Sequence, residues 1–192
     1  MRTLYILWGL LISGTVFSQA SPKPVYLKEI GYTFTLPEEF KSLDSAKIVS
    51  VNKHGKQILD SVNNISSTST TKTIFAAETF TKNYFDVTIT PFIEKAPGTF
   101  SKSIAYENNV LYKTYAAMQG AEVDSATSQY VIDGLSFIKF EIKVSRNKKA
   151  VFTSVSFSTL YKGIDISISY IYQNLYIKEQ IEQMLEGSKF IK

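Results

Sequence analysis

Four cations fall within seven residues of this chain, at Lys143, Arg146, Lys148 and Lys149. So dense a group of one sign creates a local positive potential, which suits an acidic protein or an anionic lipid surface as partner. The plainer reading is a solubilising turn, because loop tips ordinarily carry charge. Tyr161, Tyr170 and Tyr172 follow in sequence and could add aromatic surface, although Tyr170 and Tyr172 alternate onto the predicted core face.

The carboxylates offer less. A glycosidase needs two of them facing each other across a cleft. Glu38 and Glu39 are adjacent, so they point apart and read as solvated; Glu141 alternates with Lys139 and Lys143 in a strand. The single histidine, His54, lies among Asn52, Lys53 and Lys56, on a solvated helix face or a turn, and lacks the orienting partner that general acid–base work requires. With one His and no Cys, disulfides, thiolate nucleophiles, Cys-based zinc sites and His-pair metal sites are excluded. The chain has no G-x-S-x-G elbow and no phosphate-binding glycine loop. No catalytic, cofactor-binding or metal-binding residue is assigned, and no cofactor is expected. The net charge of +4 is spread along the chain, which argues against a nucleic-acid partner. Asn64-Ile65-Ser66 matches an N-glycosylation acceptor, relevant only in a eukaryotic secretory pathway.

The elements that must position the basic group are strands. A length of 192 residues favours one domain, and aromatics at 14% favour a β-rich one. From Gly134 to Gln173 the chain reads as a three-stranded antiparallel meander. Ile138, Phe140, Ile142 and Val144 alternate with lysines and Glu141; Val151, Val155 and Phe157 alternate with serines; Ile164, Ile166, Ile168, Tyr170 and Tyr172 complete the pattern. Such alternation predicts a sheet with one apolar and one more polar face. Arg146-Asn147-Lys148-Lys149 and Tyr161-Lys162-Gly163 are its hairpin loops, and Asp133-Gly134 turns a weaker strand, 122–132, into it.

Upstream, residues 25–29 and 31–37 read as strands. A helix follows from Asp44, with Ile48, Val51, Ile58 and Val62 at helical spacing, Asp44 or Ser45 as cap, and a kink or break at Gly55. Residues 73–80 and 84–92 form another hairpin around Thr81-Lys82-Asn83. Pro97-Gly98-Thr99 opens an amphipathic helix with Phe100, Ile104, Leu111, Tyr115 and Met118 on one face, stopped by Gly120. A last helix, 176–188, buries Ile177, Ile181, Met184 and Leu185. Helices interleaved with antiparallel strands predict an α+β fold, a central antiparallel sheet flanked by helices on both faces as an α/β/α sandwich.

Residues 1–20 have the three parts of a secretory leader: Arg2, an apolar run from Leu4 to Phe17, and Ser18-Gln19-Ala20 as a small-x-small cleavage site. The apolar run falls short of the roughly 20 residues that a membrane span needs. Residues 21–192 are then a single exported domain of the periplasm or cell exterior, without a stable membrane span.

The strand GYTFTLPEEF (31–40), the Asp133-Gly134-Leu135 turn and the closing helix ending at Ser188 and Phe190 together resemble the PsbP-like family, which includes the extrinsic photosystem II subunit and bacterial relatives. The resemblance spans nearly all of residues 21–192. Where the family often has Trp after Leu-Pro, this chain has Phe40 nearby. The metal contacts of some photosynthetic members rest on His and acidic residues, and none is carried over to His54. The resemblance implies the fold and a non-catalytic accessory or protein-interaction role; Lys143, Arg146, Lys148 and Lys149 are the candidate contact on their charge alone. The alternative is a small-molecule-binding protein or enzyme with a pocket between helix and sheet. Mass spectrometry of the protein from its native host should find a chain beginning at Ser21; a chain that retains residues 1–20 would contradict export by cleavage.

Overall fold

The computed structural model describes residues 24–64 and 70–191; the expected leader, residues 1–20, and Ile65-Ser66 of the acceptor motif lie outside them. Strands β1 (Pro24–Leu27), β2 (Tyr32–Thr35) and β3 (Phe40–Ser42) precede helix α1 (Ser45–Asn63). Strands β4 (Lys72–Thr79) and β5 (Tyr84–Pro91) precede α2 (Thr99–Ala116). Then come β6 (Glu122–Ile132), β7 (Leu135–Arg146), β8 (Lys149–Tyr161) and β9 (Ile164–Tyr172), followed by α3 (Leu175–Gly187) and β10 (Lys189–Phe190). The strands make a large sheet of order β3-β4-β5-β9-β8-β7-β6 and a small one of order β1-β2-β10. Pairing is antiparallel throughout, so the fold class is α+β.

Turn chemistry builds the meander. Asp133/Gly134, Asn147/Lys148 and Lys162/Gly163 each place two successive residues at positive φ, the type I′ turn whose twist matches that of the strands it joins. The loop at Arg146-Asn147-Lys148-Lys149 is therefore only two residues long, with Arg146 and Lys149 paired across it.

Register sets the faces, and here the expected single apolar face is corrected. Phe140 pairs with Ser156, and Phe157 pairs with Lys139 on one side and Ile168 on the other. Directly paired residues share a face, so the apolar row of β7 lies opposite that of β8 and β9. Phe137, Val155, Phe157, Ile166, Ile168 and Tyr170 form the main core with Ile177, Ile181, Met184 and Leu185 of α3 and with Tyr32, Phe34 and Phe190 of the small sheet. Phe140, Ile142 and Val144 form a second cluster with Leu111 and Tyr115 of α2 and with Phe152. A one-residue offset between strands moves every side chain to the other face, and alternation within each strand does not reveal it.

The helices differ in how firmly they sit. The α3 stripe is buried as its spacing predicts, and Asn174 caps it by accepting from the Ile177 N–H at 3.0 Å. Asp44 caps α1 by accepting from the Lys47 N–H at 2.8 Å, yet α1 buries none of its residues, and Ile58 and Val62 remain about two-fifths exposed. Side-chain amides tie α1 down: Asn63 Nδ2 donates to Thr114 Oγ1 of α2 and Asn52 Nδ2 to Thr73 Oγ1 of β4, each at 2.9 Å. The break expected at Gly55 is absent. Nothing packs near that glycine, and its cost of about 1 kcal/mol relative to Ala is too small to divide a capped helix. Helix α2 ends at Ala116, short of Gly120, and leaves Met118 exposed.

Asp133 does more than turn the chain. Its Oδ2 accepts from the Phe190 N–H at 2.8 Å and its Oδ1 from Lys189 Nζ at 3.1 Å. This holds Phe190 where its ring stacks on Tyr32 at 4.5 Å. Because Phe157 is fully buried, Phe157→Ala should cost about 3–5 kcal/mol in urea unfolding. Ser156→Ala, at a half-buried position, should cost far less; equal small losses would contradict this assignment of faces.

Candidate functional site

Strand length sets the placement of the basic group. Strand β9 ends at Tyr172, paired with Thr153, whereas β8 begins four residues earlier at Lys149. At about 3.3 Å per residue, the β7–β8 hairpin projects roughly 13 Å past the end of its neighbour. The hairpin forms an arm on the β9 side, flanked on its other side by β6 as far as Ser145, with Lys148 and Lys149 exposed at its tip.

The four cations are not equivalent. Arg146 Nη2 donates to the Gln119 carbonyl at 2.9 Å and leans over Gly120, whose φ of +71° makes that tight turn possible. Lys143 Nζ lies 3.4 Å from Glu141 and stands opposite Asp124 in register. Burial pushes Glu141 up, but the ammonium groups of Lys139 and Lys143 outweigh it and hold the carboxyl below its usual value. A shallow groove of about 440 Å³ runs beside the arm, lined by Glu122, Asp124, Lys143, Lys148, Phe152 and Thr153. The groove thus has mixed charge, and Lys148 and Lys149 supply the outward positive potential. Lys148 has φ +62°, a conformation that glycine adopts more cheaply, and Lys82 and Lys162 do the same at other hairpin tips.

The remaining sequence candidates are scattered. His54 is exposed on α1. Glu38 and Glu39 are exposed in the turn before β3, and Glu39 accepts from the Tyr176 hydroxyl. Tyr170 and Tyr172 are buried in the core, while Tyr161 is half-buried. Among the described residues, no group of three or more His, Asp or Glu is placed to hold a metal ion.

Sequence reasoning passed over a layer of polar residues on the sheet face that carries Phe140. Register aligns Ser156 with Ser169 and Asp86, Ser158 with Ser167 and Thr88, and Leu160 with Asp165 and Thr90. Ser154, Ser158 and Asp165 are buried. Burial pushes the Asp165 carboxyl from 3.8 up to about 7, with the negative charge of Glu107 on α2 adding to the shift. Asp86 keeps some contact with solvent but lies deep among neighbouring atoms, and its desolvation also brings it to about 7. Asp165 Oδ1 is buried without a hydrogen-bond partner, so ionising it is costly. The available signal was an Asp inside each of two otherwise apolar-and-hydroxyl strands, which read as solvent-facing until a covering layer was placed over them.

No family model matches the chain, and no curated protein matches it. Solved structures do. The solution structure of cyanobacterial PsbP (CyanoP) from Synechocystis sp. PCC 6803 superimposes with a TM-score of 0.58 at 13% identity, covering 95% of this chain and 100% of that one. The fold is PsbP-like. LpqN of Mycobacterium tuberculosis, described as involved in cell envelope biogenesis, aligns with a TM-score of 0.44 at 10% identity over 89% of this chain and 91% of its own. At this identity the similarity establishes the PsbP-like architecture and assigns no residue a role. Among the described residues, no helix is long and apolar enough to cross a membrane.

The buried carboxyls of this PsbP-like domain give a pH dependence of definite sign. Asp86 and Asp165 have folded-state values raised from 3.8 to about 7, so between these limits the folded chain holds more protons than the unfolded chain. Stability should therefore rise as pH falls from 8 to 5. Glu29 and Glu141 are shifted the other way and act only in the acid range, below this window. Asp165→Asn should raise Tm at pH 8 by about 3 °C or more and flatten the profile; a wild-type Tm that climbs with pH across this window would refute the assignment.

Proposed function

We propose that the protein is an exported, non-catalytic accessory domain of the cell envelope, and that it meets an acidic protein partner through the arm formed by β7 and β8. The single observation that carries this is the projection of Lys148 and Lys149 beyond the end of β9, where their charge can be presented without disturbing the core. The leader pattern in residues 1–20 supports export, and the PsbP-like fold suits an accessory role. The architecture we infer is an α/β/α sandwich, supported by the packing of α3 on the main core and of α2 on the opposite cluster. Arg146 and Lys143 act as supports, one fixed to the turn before β6 and the other balanced by Glu141.

Screening at physiological salt limits the reach of these charges to about 8 Å, so the tip acts at close approach. Lys148→Glu together with Lys149→Glu should slow association and weaken its salt dependence, with thermal stability nearly unchanged. The experiment compares immobilised wild-type and double-variant protein in capturing partners from the native envelope fraction at low and high salt. Equal capture by both proteins at both salts would reduce the arm to a solvated turn.

A further inference from the structure

The end of the large sheet that carries the arm also carries its counterpart. The turn at 37–39, the β4–β5 hairpin and the start of α3 all emerge there, because Phe40 pairs with Thr79 and Tyr84 with Ile171. They are bound into one ledge. Asn83 is fully buried; its Nδ2 donates to Thr79 Oγ1 at 2.9 Å and its Oδ1 accepts from the Gln173 N–H at 2.9 Å. The Tyr176 hydroxyl donates to Glu39. Phe80 falls just beyond β4, in the turn rather than in the expected strand, and is 99% exposed; Leu175 and Tyr176 are 68% and 56% exposed. Three large apolar side chains thus stand open to solvent at the same end of the sheet, where a partner covering that end would bury all three.

The charges on that end are arranged in order. Across the ledge from the arm lies the pair Glu38-Glu39, four strand spacings from β8, or about 19 Å. Lys82, on the ledge, is 3.6 Å from Glu78, and Lys41 stands opposite Glu78 in register. The profile runs from an acidic turn, across an apolar ledge, to the basic tip of the arm, with Glu122 and Asp124 on the far side of that tip. A surface with opposite charges at its two ends and an apolar middle is complementary to itself when turned by a two-fold rotation. An anionic membrane would meet Glu38 and Glu39 along with the lysines, so that fit is poorer.

We propose that the protein forms a two-fold symmetric dimer in which the arm tip of each copy, Lys148 and Lys149, lies against Glu38 and Glu39 of the other. Phe80, Leu175 and Tyr176 of both copies then close the step between arm and ledge. This goes beyond the accessory reading: the dimer uses the same arm, while the ledge belongs to the dimer alone.

Sedimentation velocity on the purified exported chain tests it. The expected result is a shift from monomer towards dimer as concentration rises, weakened by salt. Phe80→Ser, at an exposed position that leaves the melting curve unchanged, should weaken the dimer about tenfold or more. Lys148→Glu with Lys149→Glu should weaken it similarly, and adding Glu38→Lys with Glu39→Lys should restore it. A monomer at every concentration, or a dimer indifferent to Phe80→Ser and to the charge exchange, would overturn the proposal. So would a monomer that sediments with phosphatidylglycerol vesicles through Phe80, which would make the ledge a membrane contact. Envelope-partner capture by a strictly monomeric chain would leave the accessory reading in place while the dimer fails; a dimer without such capture would do the reverse.

Discussion

The fold depends on the register of β8 with its two neighbours. Phe157 shares a face with Ile168 on β9, while Ser156 shares a face with Phe140 on β7. One strand therefore offers apolar side chains to the main core and hydroxyls to the other side, and the neighbouring strand does the opposite. The consequence is a second apolar cluster, Phe140, Ile142 and Val144, separate from the main core. Serines rather than bulky residues line the middle of the second face, and this leaves room there for the carboxyls of Asp86 and Asp165.

Coverage of that second face has an energetic character unlike that of the first. The main core is a network of rings and branched side chains, with Phe34 against Phe85 at 5.5 Å and Phe157 against Tyr170 at 6.1 Å. The second face combines a small apolar cluster with hydroxyls and protonatable groups, and α1 beside it is held by amide hydrogen bonds rather than by burial. Segments with few buried apolar contacts open at lower free energy than the core. Local opening of this domain should thus begin on the α1 side.

What the sequence makes legible is local. The cap at Asp44, the Asp133-Gly134 turn, the stripe of α3 and the alternation in β7, β8 and β9 are each contained in a few consecutive residues, and the structure has them where those residues predict. Pairing between distant segments lies beyond such reading. Strands β3 and β10 are three and two residues long and exist because β4 and β2 offer them partners. The relative phase of β7 and β8 was hidden for the same reason, and so were the fate of Asp165 and the placing of Phe80, Leu175 and Tyr176 at the same end of the sheet. For the basic group, sequence supplied the residues; the bond of Arg146 to the Gln119 carbonyl and the pairing of Lys143 with Glu141 separate two engaged cations from two outward-facing lysines.

The link from Asp133 through Phe190 to Tyr32 also bears on the order of folding. Tyr32 and Phe190 are adjacent in the small sheet but lie at opposite ends of the described chain, so their contact closes a very large loop. Contacts of such high sequence separation form late, since the entropy of closure must be met before they contribute. During synthesis, β2 lacks one of its two neighbours until the final residues emerge, and the aromatic surface of Tyr32 stays uncovered meanwhile. The small sheet is therefore complete only once Lys189 and Phe190 pair with β2, and Asp133, from the middle of the chain, fixes them there.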